Sequence, residues 1–214
     1  MNKRLRLFVV AIAALALIVG AIVVTGVSNT RAKQEVDARL QALKSAAAAG
    51  AAGRAACANV VTQVEQDLRA LEADEGGSTR VVEGFRALGD CQLQVGQSRQ
   101  AIDAYQKVAG FEPEMGRAHG DLARAYSRSG DHTSAVRHAR LAVQLSPTQW
   151  QAHRILARVL EAATQYEDAL AAMRKAASLA PADQQRGAQN AIARLESRVS
   201  GSTSAAEQTD DDDE

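Results

Sequence analysis

Residues 143–150 read VQLSPTQW, and their proline is one of only three in 214 residues, the others being Pro113 and Pro181. Each proline stands 34 residues from the next. Proline has no amide hydrogen to donate and disfavours helix in the residue before it, so each marks the end of a helical stretch. A fixed period of this size is how stacked repeat units announce themselves in sequence.

Blocks of 34 residues starting at Val82, Gly116 and Trp150 bring the columns into agreement. The seventh position reads Leu88, Leu122, Leu156; the eighth is small, as Gly89, Ala123, Ala157; the twentieth is Ala101, Ala135, Ala169. The thirtieth is bulky, as Phe111, Leu145, Leu179, and the thirty-second is the proline. Small residues at the eighth and twentieth positions let two helices cross closely, where larger side chains would wedge them apart. The turns between the helices are VGQS, SGDH and ATQY, in which Gly96 and Gly130 suit a left-handed residue and Thr164 replaces the third glycine.

This pattern resembles the tetratricopeptide repeat, a helix-turn-helix unit of about 34 residues. The resemblance covers residues 82–115, 116–149 and 150–183 and implies an all-α helical-hairpin solenoid. The fourth position, aromatic in the family, is Phe85, then His119 and His153; the eleventh is Gln92, Tyr126 and Leu160.

Composition agrees with close-packed helices. Aromatics are 3 % of residues and much of the apolar content is alanine, a strong helix former that buries little. Net charge is zero, which argues against nucleic acid as a partner, yet EQTDDDDE at 207–214 holds six acids and no base. Body and tail therefore carry opposite signs.

After the basic start MNKRLR, residues 7–27 are apolar and uncharged, long enough at 1.5 Å per residue to cross a hydrocarbon core of roughly 30 Å. Residues 1–30 are expected to form a signal-anchor or transmembrane helix, with a cleaved signal peptide as the alternative; its apolar region is usually shorter. The expected placement is a single pass through a bacterial inner membrane with the repeats on the periplasmic side. Residues 31–81 read as a helical stalk followed by a helix that caps the first repeat. Val36, Leu40 and Leu43 form one stripe; Val60, Val64, Leu68 and Leu71 form another. The alanine run at 45–56 is a weak helix or a hinge near Gly50 and Gly53. Residues 184–200, with Ile192, Leu195 and Val199 in phase, read as a closing helix, and 201–214 as a disordered acidic tail.

Cys57 and Cys91 are also 34 residues apart, which puts Cys91 at an inward tenth position facing the preceding helix. In an exported domain they form a disulfide; otherwise they are two small buried thiols. His119 and His153 share the family's aromatic column, and His132 and His138 do not share a helical face, so no metal is expected. No phosphate loop or nucleophile elbow is present, and neither an enzyme nor a cofactor is expected.

The resemblance implies that first helices line a concave groove and read ligands with the second, fifth, ninth, twelfth and thirteenth positions. Here these supply Arg86, Arg117, Arg124, Arg128, Arg154 and Arg158 against Glu83, Asp90 and Glu161. The ninth column is Asp90, Arg124, Arg158, so the asparagines with which some family members clamp a chain-terminal carboxylate are missing. The expected partner is another protein, met through an acidic segment or chain terminus, since arginine pairs bidentately with carboxylates. The tail either masks this trough or only solubilises the chain. The alternatives are a solvated arginine-rich face and a scaffold that self-associates without gripping a peptide.

Overall fold

The computed structural model describes residues 31–210, with side chains as far as Gly201. The membrane segment expected at 1–30 lies outside the described residues, as do the acids at 211–214. Among the described residues there is no strand, and no helix is long and apolar enough to cross a membrane.

The chain divides into two units, Met1–Ala42 and Leu43–Glu214. In the first, residues 31–42 are helical, with Leu40 buried and Val36 half-buried. The second opens with helical residues 43–48 and then turns sharply through Gly50, at φ +57°, and a 3-10 turn over Gly50–Gly53. The alanine run is thus the bend of a tight helical hairpin. A Cβ at Gly53 would overlap the carbonyl of Ala46, which is why a glycine closes the bend.

Helix α1 (Arg54–Glu75) follows and buries Cys57, Val61, Val64 and Leu68, a row at spacings of four, three and four. Val61 replaces the expected Val60 in this stripe because the row is phased from Cys57; Val60 and Leu71 lie half-buried at its edge. Gly76, at φ +58°, ends α1, and Ser78 caps α2 (Thr79–Gln94) by accepting a bond from the Val81 amide at 3.4 Å.

Six helices make the three hairpins: α2 with α3 (Ser98–Phe111), α4 (Gly116–Ser129) with α5 (His132–Leu145), and α6 (Trp150–Ala162) with α7 (Tyr166–Leu179). Each packs on its sequence neighbours, and α4 also packs on α6, which puts first helices side by side. Ala101, Ala135 and Ala169 at the crossings are fully buried, as are Ala123 and Ala157. At Gly89 an added Cβ would lie 2.7 Å from the ring of buried Tyr105, so the first hairpin closes around an aromatic that only glycine admits.

All three turns have the same geometry. The amides of Gln97, Asp131 and Gln165 reach five residues back to Gln92, Tyr126 and Leu160, while those of Gly96, Gly130 and Thr164 reach three back. This is the Schellman pair of bonds, and it requires a left-handed residue at its centre. Gly96 and Gly130 sit at φ +87° and +88°; Thr164 adopts φ +59°, the only non-glycine with positive φ among the described residues. The repeat imposes its turn even where the sequence resists it.

Helix α8 (Ala182–Asp210) closes the array. Leu195 is fully buried among Leu160, Met173 and Ala176, with Ile192 and Val199 packed beside it, so the expected closing stripe is in place. The expectation of a structureless chain from residue 201 is corrected: helix continues to Asp210. Ala205, Ala206, Glu207 and Gln208 are good helix formers, and extending an existing helix avoids the cost of nucleation.

Candidate functional site

First helices α2, α4 and α6, with α8 beyond them, bring the expected arginines to one side of the array. A groove of about 1030 Å³ opens there along α4 and α6. Its floor is small and apolar, with Gly116, Gly120, Ala152, Ile155 and Val159. Its walls carry Arg117, Arg124, Arg128, Arg154, Arg158 and Arg194.

These arginines are not equivalent. Arg86, on α2, does not line the groove: its Nη2 donates to Glu112 Oε2 at 2.9 Å, and its Nε lies 3.7 Å from Asp121 Oδ2. Arg124 donates to Asp90 Oδ1 at 3.1 Å and to Asp121 Oδ1, and Asp90 also accepts from the Tyr105 hydroxyl at 2.7 Å. Burial works against the charge on Arg124, but Asp121, Tyr105 and Asp90 outweigh it and hold its pKa above the usual value. Burial pushes the Asp121 carboxyl up, with Arg124 opposing, and pushes Tyr105 far up, reinforced by Asp90. This network joins the first two repeats. Its arginines are paired with acids of the fold; Arg86 stands outside the groove lining, whereas Arg124 stays part of it.

Arg128 is tied differently. Its Nη1 donates to the Leu93 carbonyl at 3.0 Å, at the C-terminal end of α2 where carbonyls lack helical partners and a cation is favoured. Arg194, which the sequence reading omitted, pairs with Glu161 through Nε at 3.1 Å and Nη2 at 3.0 Å. That cancels the one acid expected on the groove side of α6.

Arg117, Arg154 and Arg158 remain, all exposed and none within ion-pair distance of a carboxylate among the described residues, although the charge of Arg117 is felt at Asp121. Arg154 lies 4.9 Å from the centre of the Trp150 ring, which holds its guanidinium in place without neutralising it. Its pKa is lowered, first by burial and then by Arg158 and Arg124. With Gln149, Gln151 and Ser127 on the same walls, the groove offers charge and neutral hydrogen bonding over an apolar floor.

Cys57 and Cys91 are joined by a disulfide, which ties α1 to α2, and both are fully buried. Residues 43–48 cover it: Gln94 Nε2 donates to the Ala47 carbonyl at 2.9 Å, and Lys44 pairs with Glu83 at 2.7 Å.

The histidines are structural staples. Nε2 of His119 and of His153 bonds the carbonyl of Pro113 at 3.0 Å and of Pro147 at 2.9 Å, six residues back in each case. The family's aromatic column thus serves here as a link to the preceding proline. That leaves His119 Nδ1 to accept from His138 Nδ1 at 3.3 Å, while His138 stacks on Tyr126. Burial, then Arg137 and His119, lowers the pKa of His138. Among the described residues no group of three or more metal-ligating side chains exists.

The tetratricopeptide repeat family matches residues 86–149 and 121–184. No curated protein matches the chain. Among solved structures it is similar to the TPR domain of Sgt2 from Aspergillus fumigatus, at TM-score 0.54 and 20 % identity over 58 % of this chain and 83 % of that one. The TPR2B domain of yeast Sti1, in its complex with pHsp70, aligns at TM-score 0.51 and 19 % identity, covering 55 % of this chain and 97 % of that one. The first TPR of Spaghetti, bound to the HSP90 peptide SRMEEVD, aligns at TM-score 0.50 and 21 % identity, covering 56 % and 93 %. Likeness at this identity concerns the fold alone.

Proposed function

The chain is a tetratricopeptide-repeat protein over residues 86–184, and from that premise we propose that it is a non-catalytic adapter that holds partner proteins by an acidic, extended segment laid along the groove of α4 and α6. One observation carries this reading: Arg117, Arg154 and Arg158 converge on an apolar-floored groove whose two acids, Asp121 and Glu161, are already held in ion pairs by Arg124 and Arg194. Two of the similar structures hold a ligand, pHsp70 in Sti1 and the acid-containing SRMEEVD peptide in Spaghetti, which makes a peptide a reasonable occupant here too. The ion-paired Arg86 and Arg124 fix the second repeat against the first so that the unpaired arginines keep their spacing.

The adapter works at a membrane in this proposal. Residues 7–27 supply an anchor of spanning length, and the Cys57–Cys91 disulfide fits an oxidising compartment such as the periplasm. The test is crosslinking with mass spectrometry in native membranes, comparing the intact chain with Arg117→Glu/Arg154→Glu/Arg158→Glu. Partners that crosslink near α4 and α6 and vanish in a folded variant support an adapter. An unchanged partner set means the arginines are a solvated face.

A further inference from the structure

The groove is lined by six arginines against two acids, Asp121 and Glu161, and the same chain carries further acids at its end. Six of the last eight residues are acids with no base among them, and the net charge of the whole is zero. The course of α8 decides which groove that segment can reach. The Arg198 guanidinium lies 5.9 Å from the ring centre of Tyr166, the first residue of α7, so α8 is there level with the turn between α6 and α7. The groove spans the lengths of α4 and α6 and ends at that level, at Arg128 and Ala162. Helix α8 continues for another dozen residues to Asp210, carrying the chain about 18 Å past the groove at 1.5 Å per residue.

Return to the chain's own groove would require breaking α8 and reversing its direction. Entry into the groove of a neighbouring molecule requires neither. We propose that the acidic C-terminal segment, residues 207–214, docks in the arginine groove of a second copy of this chain, so that copies associate head to tail. Arg117, Arg154 and Arg158 of the receiving copy meet the carboxylates of the donor. Such a contact is heterologous: each molecule keeps one groove and one tail in use, and the association extends unless it closes into a ring. A partner with an acidic segment then competes with the neighbouring copy for the same arginines.

This inference rests on the adapter reading of the groove, and the experiment separates the two. Two variants of the full chain are prepared in mild detergent with different affinity tags. One lacks residues 201–214 and keeps its groove; the other carries Arg154→Glu/Arg158→Glu and keeps its tail. The native chain is expected to show concentration-dependent assembly that is lost as salt rises from about 0.1 M to about 1 M, where the screening length falls from about 10 Å to about 3 Å. Each variant alone is expected to lose that assembly. Their mixture is expected to co-purify as a one-to-one complex, because it restores one groove and one tail.

Failure of the mixture to pair, with both variants folded by circular dichroism, overturns the proposal. A synthetic peptide of residues 201–214 then shows which idea failed. Binding of the peptide to the truncated chain, without pairing of the mixture, leaves the groove reading standing and removes only self-association. An unbound peptide removes both. A monomeric native chain whose affinity for the peptide rises on truncation means that the tail occupies its own groove, which also overturns docking between copies.

Discussion

Removing the Cys57–Cys91 disulfide should destabilise the N-terminal end of the repeat domain by an amount set by the loop it closes. The separation is 34 residues. The loop-entropy relation gives about 12.6 cal/mol/K for that length, or about 3.8 kcal/mol at 25 °C. That is roughly a 600-fold change in the folding constant. Both cysteines are fully buried, so Cys57→Ala/Cys91→Ala loses some packing as well, while order retained in the unfolded chain works the other way. Urea unfolding followed by circular dichroism, on the double variant and the native chain side by side, measures the difference. Hydrogen exchange should place the loss on α1 and α2, the helices the bond joins. An unchanged midpoint, or two titratable thiols per native chain after denaturation, would refute the reasoning and with it the argument for an oxidising compartment.

Thr164→Gly should stabilise the chain, because a β-branched residue in the left-handed region costs about 1–2 kcal/mol and glycine returns part of that through unfolded-state entropy; a melting point raised by about 2–4 °C is the expected reading. Gly89→Ala should destabilise by about 1–3 kcal/mol, since the new methyl would meet the Tyr105 ring at 2.7 Å, and a denaturation curve overlying that of the native chain would contradict it. His138 has a lowered pKa in the folded state, so the unfolded chain binds its proton first. Its contribution to stability is complete above the ordinary histidine pKa of about 6.5 and is lost as pH falls from there through the lowered folded value. Melting points between about pH 7.5 and pH 5 should therefore fall less steeply in His138→Phe than in the native chain.

The array was legible because its signals are local and repeat. Prolines at one period, a small residue at each crossing and a fixed turn offset depend on the chain's own neighbours, and three copies reinforce one another. What the columns could not show is who pairs with whom. Position within a repeat says that Arg86 and Arg124 face the groove side, but the approach of Arg86 to Asp121 and the bond of Arg124 to Asp90 cross from one repeat to the next and depend on how successive repeats stack, even though Arg124 and Asp121 are three residues apart on one helix. The His119–His138 contact joins residues on different helices of one hairpin, and no periodicity links them. Arg194 belongs to no repeat column, so nothing periodic places it, yet its pair with Glu161 brings it to the groove. The strain at Thr164 was visible only as a missing glycine; that the turn keeps its left-handed form without one is a property of the packed hairpin.

The central claim is that the unpaired arginines of α4 and α6 hold an acidic segment. Isothermal titration of the synthetic peptide EQTDDDDE into the full chain lacking residues 201–214, against the same chain carrying Arg154→Glu/Arg158→Glu, tests it most directly. The account predicts salt-sensitive binding that weakens at least about tenfold in the variant, a difference of about 1.4 kcal/mol. Equal affinity for both proteins, or no binding to either, would contradict it.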